Sequence, residues 1–166
     1  MKNIRFLLPA LILGLLWSIS GCQTAELTDA EFASVVMRAV VDRGYVDNSK
    51  AIIYDQNGLT IDLIAGDFDL SDGQASAQFS VGFAAFELER STVDGDVAAA
   101  VTIIGVGGQP QTLTAVFNTG PGNQLVVIGK HGGQYQFDNA TVVYDFATHT
   151  YTFSGEVIVD GVVHTL

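Results

Sequence analysis

Two stretches of the chain alternate between apolar and polar residues with the period of a β-strand. In the first, between positions 74 and 83, the apolar residues are Ala75, Ala77, Phe79, Val81 and Phe83. In the second, between positions 150 and 159, they are Tyr151, Phe153, Val157 and Val159. Successive side chains of a strand point to opposite faces, so each stretch predicts a strand with one buried face. The alternation changes phase at Ala84-Ala85, which predicts a bulge or a bend there.

Two other runs are apolar on both faces and are suited to central strands of a sheet. They are VAAAVTII at 97–104 and LVVIG at 125–129. Dipeptides that favour the positive φ angles of tight hairpins occur at Asn57-Gly58, Asp72-Gly73, Asp94-Gly95 and Asp160-Gly161. Further connections are predicted at Gly107-Gly108, at 118–123 and at Gly132-Gly133.

One segment has the 3.6-residue period of a helix. Its apolar positions are Phe32, Val35, Val36, Ala39 and Val40. Thr28 and Glu31 have the spacing of a capping box, and Leu27 and Phe32 have that of a hydrophobic staple. Arg43 suits the negative end of the helix dipole, and Gly44 is suited to a left-handed stop. We therefore predict a helix over residues 29–43.

Everything after Lys50 is typical of strands, about nine to eleven of them at this turn spacing. No later segment predicts a helix long enough for a parallel crossover. The predicted fold class is mainly β, an antiparallel meander with one N-terminal α-helix, in a single domain over residues 28–166. The pattern leaves open whether the strands form a sandwich or a barrel.

The N-terminus has the layout of a secretory signal peptide. Lys2 and Arg5 precede an apolar run at 6–19, which is shorter than the roughly 20 residues of a permanent membrane helix. Pro9 and Gly14 weaken this run further as a long stable helix. We interpret residues 1–21 as a signal peptide.

The residues that follow resemble the lipobox of bacterial lipoproteins, in the sequence Ile19-Ser20-Gly21-Cys22. The resemblance implies cleavage before Cys22, attachment of a diacylglycerol to its thiol and acylation of its amine. It also gives a use to the only cysteine of the chain. Gln23 stands where an aspartate would imply retention in the inner membrane, so the expected location is the outer membrane of the cell envelope. Residues 22–27 would then be a lipid-anchored tether.

The charge of the mature part narrows the range of partners. Without residues 1–21 the chain keeps five basic residues against 18 acidic ones, a formal net charge of −13. Such a charge disfavours nucleic acid and bare anionic lipid, and it is compatible with cationic partners or divalent ions.

Acidic residues offer the first candidate metal site, at Asp67, Asp69 and Asp72. The spacing does not fit an EF-hand loop, the flanks are predicted strands, and Asp72-Gly73 is already explained as a turn. Asp67 and Asp69 would share one sheet face. Asp94 and Asp96 flank Gly95 and have the same turn interpretation. We predict no metal site.

No catalytic constellation or cofactor motif is predicted either. His131, His149 and His164 lack a second imidazole at metal-ligand spacing and are expected at the surface or in cross-strand positions. No serine occupies a nucleophile elbow, and both Glu87 and Glu89 are expected to face solvent. Aromatic residues are expected to point mostly into the core. They are Phe79, Phe83, Phe86, Phe117, Tyr135, Phe137, Tyr144, Phe146, Tyr151 and Phe153.

These observations favour a lipid-anchored binding or scaffolding domain of the cell envelope without enzymatic activity. Its expected partner is an envelope protein or a small ligand. The alternative is a carrier that holds a small apolar ligand in a barrel lined by the aromatic residues.

Overall fold

The computed structural model describes residues 26–46, 53–66, 69–120 and 122–166, and it confirms the predicted fold class. The chain forms helix α1 (Asp29–Val41), which continues into a turn of π-helix (Asp42–Val46). The strands that follow are β1 (Ile53–Gln56), β2 (Leu59–Gly66), β3 (Gln74–Leu88), β4 (Ser91–Val106), β5 (Gln109–Asn118), β6 (Leu125–Gly129), β7 (Gly133–Asp145), β8 (Thr150–Val159) and β9 (Val162–Thr165).

The nine strands of the described residues form one antiparallel sheet, in which every strand pairs with its neighbour in sequence except that β5 and β6 do not pair with each other. β4 pairs with β6 along its first residues and with β5 along the rest, and β7 is divided in the same way. β5 and β6 therefore lie end to end as one strand that is interrupted by residues 119–124. The sheet is an up-and-down meander with β1 and β9 at its two edges.

The start of α1 is the capping box that the sequence predicts. The Thr28 hydroxyl accepts from the Glu31 amide at 3.2 Å, and the Glu31 carboxylate accepts from the Thr28 amide at 2.7 Å. These bonds satisfy amides that have no partner inside the helix. Hydrogen bonds from the Thr28 backbone and hydroxyl also lower the pKa of Glu31.

The predicted end of the helix is wrong in its mechanism. Gly44 does not have a positive φ, and the backbone passes through it in the π-helical turn. A Cβ atom at Gly44 would lie 2.7 Å from Cδ1 of Ile61 on β2, closer than real contacts allow. Gly44 is therefore suited to a close approach between the helical segment and the sheet.

The apolar face of α1 is enclosed by the sheet. Its buried residues are Phe32, Ala33, Val36, Met37, Val40 and Val41, and none is more than 3% exposed. α1 contacts β7, β8 and β9, whereas the π-helical turn contacts β1. The helical segment therefore lies against both edges of the sheet, and one core joins the helix to the inner face of the strands.

The two alternating stretches lie as predicted. In β3 the five apolar residues from Ala75 to Phe83 are all buried and the polar residues Gln74, Ser76, Gln78 and Ser80 are exposed. In β8 Val157 and Val159 are buried and Tyr151 and Phe153 are half-buried. The two runs that are apolar on both faces lie in β4 and β6, and each is paired with a strand on both sides, as expected. The residues of these runs on the outer face of the sheet nevertheless remain exposed, for example Ile104 and Ile128.

In the β3–β4 hairpin one predicted bulge is confirmed and one predicted turn is wrong. Ala84-Ala85 is a bulge, as predicted, with Ala85 at φ 52°. Asp94-Gly95, predicted as a hairpin turn, instead lies inside β4 opposite this bulge, and the Asp94 carboxylate accepts from the Ala85 amide at 2.7 Å. The actual β3–β4 turn is Glu89-Arg90, where both residues have positive φ without being glycine or asparagine.

Two substitutions at the start of α1 test how strongly the helix is integrated into the core. We expect Thr28→Ala to lower the free energy of unfolding by about 1 kcal/mol through loss of the cap. Phe32→Ala should cost about 3 kcal/mol or more because the ring is fully buried. Urea melts provide the measurement, with the exposed Thr152→Ala as control, expected within about 0.5 kcal/mol of the parent. Small, equal effects of the first two variants would mean that α1 is only loosely attached.

Candidate functional site

Three turns lie side by side at the end of the sheet where β4 and β7 begin, which we call the near end. They are residues 89–90, 130–132 and 160–161. The Lys130 amide donates to the Arg90 carbonyl at 3.3 Å, and the Gln134 amide donates to the Asp160 carboxylate at 2.9 Å. The near end is therefore a connected rim of turns. The opposite end, with turn 107–108 and residues 146–149, is called the far end.

The start of α1 is held at the near end by polar contacts. The Tyr135 hydroxyl donates to the His131 carbonyl at 3.0 Å and lies 3.4 Å from a carboxylate oxygen of Asp29. The other Asp29 oxygen lies 3.8 Å from Nε2 of His164, on β9. Burial, and then the charge of Asp29, raise the pKa of Tyr135 far above its usual value, so the phenol remains a donor. These contacts fix where the chain enters the domain.

The three histidines occupy different environments. His131, expected at the surface or across a strand pair, is 7% exposed, and its ring stacks on Phe32 with centroids 4.7 Å apart. That expectation was wrong because the β6–β7 turn folds over the helix start. His164 is a cross-strand residue opposite Val157, as expected. His149 is exposed at the far end, where its Nδ1 lies 2.7 Å from the Tyr144 hydroxyl.

Asp69 and Asp72 lie in the connection between β2 and β3, whereas Asp94 and Asp96 lie in β4. Asp69 is not on a strand, contrary to expectation; it follows the end of β2, and its carboxylate accepts from the Ser71 amide at 2.9 Å. Asp72 is exposed in the turn before β3, and Asp67 lies outside the described residues. Within the described ranges, no group of three or more His, Cys, Asp or Glu residues could hold a metal ion. Glu87 and Glu89 are exposed, as predicted.

A second polar cluster, which the sequence did not reveal, holds the other end of α1 against β8. The Tyr151 hydroxyl donates to the carboxylate of Asp42, which also pairs with Arg38 at 3.3 Å. The Arg38 guanidinium lies 4.8 Å from the centroid of the Tyr151 ring. Burial first, and then the hydrogen bond to Asp42, raise the pKa of Tyr151. No local pattern predicts this contact, because its partners are 109 positions apart.

The aromatic residues point mostly inward, as predicted. Seven of the ten are buried, and Phe146, Tyr151 and Phe153 are half-buried against the core. Their rings pack on one another, for example Phe83 on Phe86 and Phe117 on Phe137. Together with the buried side chains of α1, they occupy the interior of the curved sheet.

A shallow depression of about 220 Å³ opens on the outer face of the sheet, toward the far end of β2, β3 and β4. Its lining residues are all uncharged: Ala65, Gly66, Ser76, Ala77, Gln78, Ala100, Val101 and Thr102. Exposed apolar side chains extend this region along the same strands, with Ile64 61%, Ile104 50% and Val106 71% exposed. We call the depression and these three residues the outer apolar surface.

The depression forms where β2 and β3 lose their regular register. The pairing shifts between Leu63 and Ala65, which leaves Ile64 outside the ladder. Gly66 follows at φ 94°, and a Cβ atom there would lie 2.2 Å from the carbonyl oxygen of Ser76. Only glycine permits this approach of the two backbones. The sequence contains the glycine, but no alternation pattern indicates the bulge beside it.

Comparison with family models, with curated proteins and with solved structures finds no match to this chain. No helix within the described ranges has the length and apolar character needed to cross a membrane.

Proposed function

We propose that this chain is a lipid-anchored lipoprotein of the bacterial cell envelope that acts as a binding or scaffolding module without enzymatic activity. Residues 1–21 are the signal peptide and Cys22 carries the lipid, as the resemblance to the lipobox implies. Gln23 favours attachment to the outer membrane. Cys22 lies outside the described residues, so this part of the proposal depends on the sequence alone.

The outer apolar surface is the feature that supports a binding role. It is free of charged residues, although the mature chain has 18 acidic residues, and three large apolar side chains on it are half exposed or more. Large exposed apolar side chains around an uncharged depression favour an interaction site. An uncharged and partly apolar protein surface of the envelope is the partner that fits, since a cationic ligand would find no counter-charge there.

The alternative, a carrier of a small apolar ligand, has less support. It requires an enclosed apolar cavity lined by aromatic rings. Within the described ranges the inward rings pack against one another and against α1, and the depression on the outer face has no aromatic lining.

The anchor is tested by replacing its attachment point. We expect Cys22→Ser to give a folded protein that incorporates no radioactive fatty acid and separates from membranes on fractionation. The thiol precedes the capping box and is therefore not expected to contribute to the core. A serine variant that still incorporates label or remains tightly bound to membrane would contradict the lipobox interpretation.

The binding surface is tested by photo-cross-linking in cells that express the lipidated protein. A photoreactive residue at Ile104 should give one discrete adduct with an envelope protein, and the same residue at Thr152, exposed on β8, should not. Ala100→Arg, which places a long cation in the depression, should abolish the adduct, whereas the matched Thr152→Arg should leave it. The same adduct pattern from positions 104 and 152, or an adduct insensitive to Ala100→Arg, would refute the assignment.

A further inference from the structure

A second group of exposed apolar residues lies at the near end of the sheet. Ile128, two residues before the β6–β7 turn, is 64% exposed. Val162 and Val163, directly after the β8–β9 turn, are 59% and 56% exposed. Ile128 belongs to the strand beside β7, and Val163 is paired with Ile158 on the strand beyond β7. We call these three residues with the three turns the near-end rim.

The near-end rim is also where the chain enters the domain. Glu26 is the first described residue, and its carboxylate lies 3.8 Å from the Lys130 ammonium in the β6–β7 turn. Asp29, three residues later, contacts Tyr135 and His164. Four Cα–Cα steps separate Glu26 from Cys22, and a fully extended chain of that length spans at most about 14 Å. A lipid on Cys22 would therefore keep Glu26 within that distance of the bilayer, and with it the β6–β7 turn that Glu26 contacts.

The charge of the rim differs from that of the domain as a whole. The three turns carry Glu89, Arg90, Lys130 and Asp160, whose formal charges cancel. Inclusion of the neighbouring acids Glu26, Asp29, Glu31 and Glu87 changes the sum to −4, against −13 for the whole mature chain. The rim therefore carries only part of the acidic excess of the chain, and its negative sum favours a membrane surface without net charge over an anionic one.

A short tether makes even a weak surface contact effective. An intramolecular contact forms at the local concentration set by the tether, which is in the millimolar range for short linkers. Exposed aliphatic side chains such as Ile128 strengthen binding at a membrane interface in proportion to the apolar area that they bury there.

We infer that the near-end rim docks on the phospholipid surface next to the anchor, with Ile128, Val162 and Val163 in contact with the interface. This inference rests on the proposed lipidation of Cys22. The lipid that fits is zwitterionic, because the domain remains acidic beyond the rim. Docking at the near end would hold the domain upright and direct the far end, with Ile104 and Val106, away from the membrane.

The test uses the full-length lipidated protein in vesicles of phosphatidylcholine and phosphatidylethanolamine. Ile128→Cys and Val163→Cys each introduce one free thiol for a fluorophore that is sensitive to polarity, since the thiol of Cys22 is blocked by the lipid. Ile104→Cys, at the far end, is the matched control. Lipids that carry a nitroxide in the upper acyl chain then report contact with the bilayer.

We expect a blue shift and loss of fluorescence with nitroxide lipid at positions 128 and 163, and neither change at 104. Equal fluorescence at all three positions would overturn the inference. Probes at 128 and 163 that show a blue shift but no quenching by nitroxide lipid would also overturn it, because that result indicates contact with a second copy of the protein. Failure of the anchor is distinguishable, because the protein would not float with the vesicles and residue 22 would itself react with the fluorophore.

Discussion

Burial of one helix face inside a curved sheet is the interaction on which the rest of this structure depends. A meander of nine strands has two unpaired edges, which expose backbone groups and invite association with other chains. Here the helical segment lies against both edges, β9 through α1 and β1 through the π-helical turn. Six helix side chains at 3% exposure or less complete a core that the sheet alone could not close. The close approach at Gly44 and the Tyr151–Asp42 contact follow from that position of the helix.

Helix α1 also determines at which end of the sheet the chain enters the domain. Its first residues are fixed at the near end by Tyr135 and His164, so a chain attached through Cys22 approaches the domain at one defined place. Exposed apolar residues lie at both ends of the sheet, Ile128 at the near end and Val106 at the far end. Under the proposed lipidation of Cys22, a short tether would make these two groups inequivalent, because only the first would be held beside the membrane.

Sequence periodicity predicted the features that depend on neighbouring residues. The capping box, the alternation of β3 and the bulge at Ala84-Ala85 are local, and each was confirmed. The errors arose where a distant partner decides the outcome. Asp94-Gly95 has hairpin chemistry, yet its carboxylate is used to bond the bulge on β3. His131 has no local signal for burial, because the ring that covers it is Phe32, 99 positions earlier. The outer apolar surface was missed for the same reason, since it combines residues from three strands.

Native-state hydrogen exchange on residues 26–166 tests directly whether the helix belongs to the central core. If the helix is part of the central core, the amides of Val36, Met37 and Val40 should exchange only through global unfolding. Their free energies of exchange should then equal those of Val101 and Val142 in the central strands, and all should fall together as urea is added. Exchange of the α1 amides through a separate opening of lower free energy, while the strands remain protected, would contradict the claim that the sheet depends on the helix.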